Sequence, residues 1–334
     1  SGYNATDYTR TRCNLYFEKT STVVKTVIGD IEVNTYTPDF SKSACDDSIC
    51  ESHEKGIYET QDGDGTSYYY RGSVENNYVK FGGYYWRIIR ITGNGSMRII
   101  YDGTIAHDNG SASEDRYYSK TNYNSTASDN MYVGYMYTSG QVHGTGTSSL
   151  IKTSNDNFYK DKLINYANYI DTNTGFCGDR SVISSNTGTG TGSNYTLYGG
   201  YERLLKSQPS LKCESTSDYY TVNGSNKGNK ALSYPVGLVT MDEVMYAGYA
   251  GGYSSGGYVL TAPNISSYIN IGFNFYTMTP IGFLWPTNWT KGSYAMIYYI
   301  DARAINDVDP QPHYSFGLRP VINLKSTLGV NGSG

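Results

Sequence analysis

The pair Asp242–Glu243, within "YPVGLVTMDEVMYAG", is the sharpest chemical signal in the chain. Adjacent carboxylates in an apolar setting can divide the work of a general acid and a general base. The same stretch also spells a helix start. Thr240 stands three residues before Glu243, the spacing of a capping box in which each side chain bonds the other residue's backbone N–H. Asp242 adds negative charge to the first turn, where the helix dipole favours it. Met241, Val244, Met245 and Ala247 supply an apolar face, and Gly248 a stop. The helix accounts for every residue of the motif, so the spacing predicts structure rather than catalysis. A glycosidase-like pairing with Asp301 or Asp307 has no positive support in the sequence, and no residue is assigned a catalytic role.

Other chemistry-bearing types are weaker. Asp62 and Asp64 in "DGDG" have a calcium-loop look, but position twelve counted from Asp62 is Ser73 where an EF-hand needs Glu. Asp-Gly is hairpin-turn chemistry instead. His53, His107, His143 and His313 sit in polar loops and read as solvated. No G-x-S-x-G elbow is present. The five cysteines form no CxxC pair, so no zinc site or other metal or cofactor site is expected. Cys45 with Cys50, and Cys177 with Cys213, read as two disulfides of an oxidising compartment, leaving Cys13 over.

Aromatic residues carry the remaining signal. Tyr253, Tyr258, Trp285, Asn288, Trp289 and Tyr294 lie among Gly, Ser and Asn late in the chain. Tyr and Trp in such company make a binding surface, because each ring gives contact area at low entropy cost. The same residues can also be a loop packed on itself. Charged residues are only 17% of the chain and the formal net charge is −4, which leaves no basic stripe for nucleic acid. No apolar run is long enough to span a membrane. With no signal peptide at its start, Ser1 is read as following a removed leader or anchor.

The elements that must hold these residues are mostly strands. "TVVKTVIGDIEVNTYTP" predicts a hairpin turning at Gly29-Asp30. "GIYETQDGDGTSYYYRG" predicts two strands around "DGDG". Tyr78–Phe81, Tyr84–Ile91 and Met97–Tyr101 predict an antiparallel meander with one core face, anchored by Trp86. Tyr159, Leu163, Tyr166, Ala167 and Ile170 recur at helical spacing. A short helix is expected over Tyr201–Lys206, stopped by Pro209. Leu238-Val239 reads as the end of a strand, and a Gly/Tyr-rich loop follows Gly248. "FNFYTMTP", "YAMIYYID" and "FGLRPVINL" predict the last strands, with Phe273, Phe275 and Phe283 in the core. The expected division is a β extension over 1–55, one α+β domain over 56–328, and the start of a linker at 329–334.

Taken in order, "NNYVKFGGYYWRIIRITGNGSMRIIYDGT", "YIDTNTGFCGDRS", "YPVGLVTMDEVMYAG", "YTMTP" and "FGLRPVINLKS" resemble a domain family of unknown function in surface proteins of gut Firmicutes. That family is related to the C-type-lectin-like fold and to formylglycine-generating enzymes. The resemblance runs from about Tyr68 to Ser326 and implies a C-type-lectin-like α+β fold. The oxidase branch uses two late cysteines, and none follows Cys213 here; the enzyme activity is therefore not carried over. In another branch the surface before the final "GFR" strand contacts ligand, which points to Tyr276–Asp309. The expectation is a non-catalytic adhesion or ligand-binding module, extracellular or at the cell surface. Its partners would be a host or bacterial surface glycan or protein. The alternative is a structural subunit of a surface filament, pilus or layer, assembling with copies of itself through strand edges and the N-terminal arm.

Overall fold

The computed structural model describes residues 32–44, 55–184, 188–223, 227–251, 267–284, 293–300 and 311–328, and the backbone alone at 14–16, 252–254, 257–261 and 331–333. The architecture is α+β: mostly antiparallel sheets with few, short helices.

The meander expected from "YVKFGGYYWRIIRITGNGSMRIIYDG" forms the centre of a seven-stranded sheet. Tyr84–Ile91 pairs with Tyr78–Phe81, with Met97–Gly103 and with Thr66–Arg71, all antiparallel. Gly82 and Gly83 turn the first connection with positive φ, a conformation that costs any other residue. Thr66–Arg71 forms the predicted hairpin with Gly56–Gln61. Val33–Asn34 adds a two-residue parallel strand beyond it, and Val321–Leu324 lies at the opposite edge.

A five-stranded sheet is built on Phe275–Leu284. Its neighbours are Tyr294–Ile300, Thr196–Leu197 and Ser315–Leu318, and the last of these carries Ser119–Asn122 on its far side. One continuous core joins the two sheets through Trp86, Ile100, Phe158, Tyr268, Phe275 and Val321. Trp86 is the anchor its position implied: it is buried and donates its ring N–H to Phe81 O at 3.0 Å.

Several expectations need correcting. Tyr84–Ile91 was expected to bury one face; residues 86–91 are buried throughout. Phe158 and Tyr101 pack on Trp86, while Arg87 and Arg90 reach buried carboxylates, so polar letters in this strand do not mark solvent. Helix Leu150–Phe158 begins well before the predicted segment, capped by Ser149, whose hydroxyl accepts from Lys152 N at 3.2 Å. It runs on through a π turn at Tyr159–Leu163 and a 3-10 stretch at Ile164–Tyr169. The π turn shifts the helical register, so Tyr166 and Ala167 are exposed rather than buried. Helix Gly199–Lys206 ends at Ser207 in the left-handed conformation, ahead of Pro209. Leu238 and Val239 are buried outside any ladder; the isolated bridge is Gly237 to Val321. The Gly/Tyr stretch after Gly248 is a hairpin, Ala250–Ser254 against Gly257–Thr261, not a loop. Phe275 and Phe283 are core residues, and Phe273 is half-buried against the core.

The Cys177–Cys213 disulfide is formed. Cys13, Cys45, Cys50, His53 and the Gly29-Asp30 turn lie outside the described residues. No helix among the described residues is long and apolar enough to cross a membrane.

Candidate functional site

Helix Met241–Tyr246 starts as its sequence dictates. Thr240 Oγ1 accepts from Glu243 N at 3.1 Å, and Glu243 Oε2 accepts from Thr240 N at 3.0 Å. The helix is buried along its whole length, so each carboxylate needs a cationic partner. Arg203, from helix Gly199–Lys206, grips Asp242 through Nε at 2.6 Å and Nη2 at 2.8 Å. Ser210 N adds a third donor at 2.9 Å. Glu243 accepts from Arg90 Nε at 3.0 Å and forms an ion pair with Arg98, whose Nε lies 2.5 Å from Oε1. Burial pushes the Glu243 carboxyl up, but Arg98, Arg90 and the Thr240 N–H outweigh it and hold the group below its ordinary value. Arg90 also binds Asp62 at 2.8 Å. Asp62 in turn accepts from the backbone of Asp64, Gly65 and Gly93. Asp62 is thus both a turn brace and an arginine partner, while Asp64 pairs with Lys227. Carboxylates saturated in this way make poor bases. The junction ties the large sheet to two helices.

Two histidines expected to be solvated have carboxylate partners instead. His107 Nε2 lies 2.9 Å from Asp115, and His143 Nδ1 lies 2.9 Å from Asp218. Thr104 donates to the same Asp115 at 2.8 Å. That order places the carboxylate between hydroxyl and imidazole, so the imidazole is not positioned to take the hydroxyl proton, as nucleophilic catalysis requires.

The other candidate is a groove of about 530 Å3 at the far end of the five-stranded sheet. Such a volume is on the scale of small-ligand sites. Its walls come from several segments: Ser125 to Ser128, Ser193, the paired strand ends at Phe283 and Ser293–Tyr294, and Gln311 with His313. Backbone bonds fix these segments to one another. Ala295 N donates to Ala127 O at 2.8 Å, Asn124 N to Pro312 O at 2.9 Å, and Asn130 N to Gly192 O at 2.8 Å. Asn122 Nδ2 donates to His313 O at 2.7 Å. Loops held by main-chain bonds lose little further freedom on binding. The described lining is four serines, Thr126, Ala127, Gln311, His313, Phe283 and Tyr294, with no carboxylate, ammonium or guanidinium among the described lining residues.

Of the residues expected to bind ligand, Tyr294 lines this groove. Tyr253 and Tyr258 are backbone register partners in the late hairpin and are not among the described lining residues. Trp285, Asn288 and Trp289 lie outside the described residues. Ser125, Thr126, Ser128, Ser193, Gln311 and His313 were not foreseen. Hydroxyl and amide residues in polar loops carry no one-dimensional mark that separates a groove wall from a solvated turn. Comparison with protein-family models, with curated proteins and with solved structures gives no significant match.

Proposed function

We propose that this chain is a non-catalytic ligand-binding module of an extracellular or cell-surface protein, with a C-type-lectin-like arrangement of its α+β core. The observation that carries the reading is the groove: a preorganised concavity built where late strands meet three loops, with Tyr294 at its wall. Phe283, Ser293 and Tyr294 belong to the late region that the aromatic composition and the family resemblance favoured, and the rest of the described lining comes from Ser125–Ser128, Ser193, Gln311 and His313. A disulfide inside the chain suits an oxidising compartment. The partner is a surface glycan or protein of a host or bacterial cell. The self-assembling subunit has less support. The outer strand of the large sheet, Val33–Asn34, is two residues long, and short edge strands are one way sheets avoid pairing with another chain.

The test is adhesion of the purified chain to epithelial and bacterial cells, compared with Ser128→Arg. Ser128 is exposed on the groove wall, so the added bulk and charge block the groove without touching the core. The reading expects saturable adhesion that this change abolishes. Adhesion that is absent, or indifferent to the substitution, overturns it.

A further inference from the structure

The chemistry of the groove wall goes further and selects a ligand class; this step rests on the binding reading above. Ser125, Thr126, Ser128, Ser193 and Ser293 bring hydroxyls, groups that both donate and accept, to the lining, and Thr126 donates its own to Ser128 Oγ at 3.3 Å. Gln311, 4% exposed, is a further polar residue of the lining. The Tyr294 ring offers an apolar face with a polar tip.

Three ligand classes can be compared against this wall. An anionic ligand, such as a sulfated or uronic-acid chain, calls for Arg or Lys, and the described lining has neither. A sugar held through calcium calls for several carboxylate or carbonyl oxygens at the ion. No Asp or Glu lines the described groove, and no metal-competent cluster of His, Cys, Asp and Glu occurs among the described residues. A protein partner calls for about 800 Å2 on each side with Trp, Tyr or Arg hot spots at its centre. Here the wall is a concavity of short hydroxyls. An uncharged saccharide matches the remaining features: its hydroxyls pair with Ser, Thr and Gln, and its C–H face packs on the Tyr294 ring.

We propose that the groove binds an uncharged saccharide directly, through hydroxyl and amide hydrogen bonds and the Tyr294 ring, without a bridging metal ion. The probes are mannan, galactan and N-acetylglucosamine oligomers on the uncharged side, and heparin and polygalacturonate on the charged side. Each is titrated against the whole chain with calcium and again with EDTA. The expected result is binding to at least one uncharged probe, equal in calcium and EDTA, with neither charged probe bound. Tyr294→Ala is expected to weaken that binding by about tenfold, the effect of losing one ring contact and its buried area. Ser128→Arg is expected to abolish it, and its exposed position keeps a folded variant available if Tyr294→Ala does not fold.

Binding of charged probes alone, loss of binding in EDTA, or insensitivity to Ser128→Arg overturns the saccharide assignment. If cells are bound through the groove while every uncharged probe fails, the saccharide class is wrong and the binding module stands. If cells and probes all fail, both readings fall together.

Discussion

Asp179 carries three unusual features at one residue. Its backbone is left-handed, with φ 48° and no glycine to permit it. Its Oδ2 accepts from Arg203, while Oδ1 is buried without a partner. Burial, with Asp242 nearby and against the pull of Arg203, pushes its carboxyl up to about 6. A carboxyl raised in the folded state favours folding most when protonated. Its contribution is therefore present below the unfolded value near 3.8 and is lost as pH rises through about 6. Comparing unfolding of the wild type with Asp179→Asn between pH 4 and pH 7 should show the gap moving in the variant's favour as pH rises, by on the order of 2 kcal/mol. A gap that is flat across that range would show that Asp179 does not titrate there. None of this was visible in "GFCGDRS". The capping role of Glu243 was legible because its partner Thr240 is three residues away. The arginines that neutralise it are remote: Arg90 is 153 residues distant in sequence. Local pairs can be read from spacing, whereas ion pairs of that reach depend on the fold.

Among elements, the helix at Met241–Tyr246 tests how much a local signal contributes. Thr240→Ala removes the acceptor for Glu243 N and should lower stability by about 1 kcal/mol, up to about 2, in denaturant unfolding. The hairpins and the meander were legible because Asp-Gly and Gly-Gly turns punctuate alternating apolar runs. The late hairpin was not, since its first strand, "AGGYS", has two glycines and little β-propensity. Double-sided burial of Tyr84–Ile91 was hidden for another reason. Alternation in an antiparallel strand ordinarily separates core from solvent. Here its arginines point at buried carboxylates instead. Of the groove's described lining, Tyr294 was among the aromatic residues singled out in the sequence, whereas the hydroxyl wall from Ser125–Ser128 and Ser193 had no signature.

At the scale of the whole molecule, a single carboxylate organises three guanidiniums. Asp102, fully buried, binds Arg87 at 3.1 Å, Arg116 at 2.9 Å and Arg319 at 3.0 Å. Other N–H groups of these arginines bond backbone oxygens of Tyr101, His107, Asp108, Ser111, Tyr268, Ile269 and Asn270, and Arg87 also donates to Asn77 Oδ1 at 2.8 Å and to the Tyr78 hydroxyl. Polypeptide without regular structure at 104–113 and 267–274 is thereby fixed to the sheet by side chains. Asp102→Ala would leave three buried cations without their shared anion, at a cost of about 3–5 kcal/mol. Against a typical total of about 5–15 kcal/mol, that approaches global unfolding, readable as a large fall in the denaturant midpoint. Arg319→Lys should fail to substitute for the native residue, because an ammonium cannot span Tyr101 O, Ile269 O and Asp102 together. Arg319 lies 217 residues from Asp102, so the sequence shows three ordinary arginines where the fold makes one hub.

The Cys177–Cys213 bridge has a mechanical consequence. It closes a loop of 36 residues that contains helix Gly199–Lys206 and the strand Thr196–Leu197. Under tension, force passes through the sulfur bridge and leaves that loop unloaded. A tethered chain stretched to full length should therefore be shorter when oxidised than when reduced by roughly 120 Å, the span of 36 extended residues. Single-molecule pulling before and after a reductant measures that difference directly. For a protein attached at a surface and loaded by flow, it would limit how far a bound partner could be drawn away.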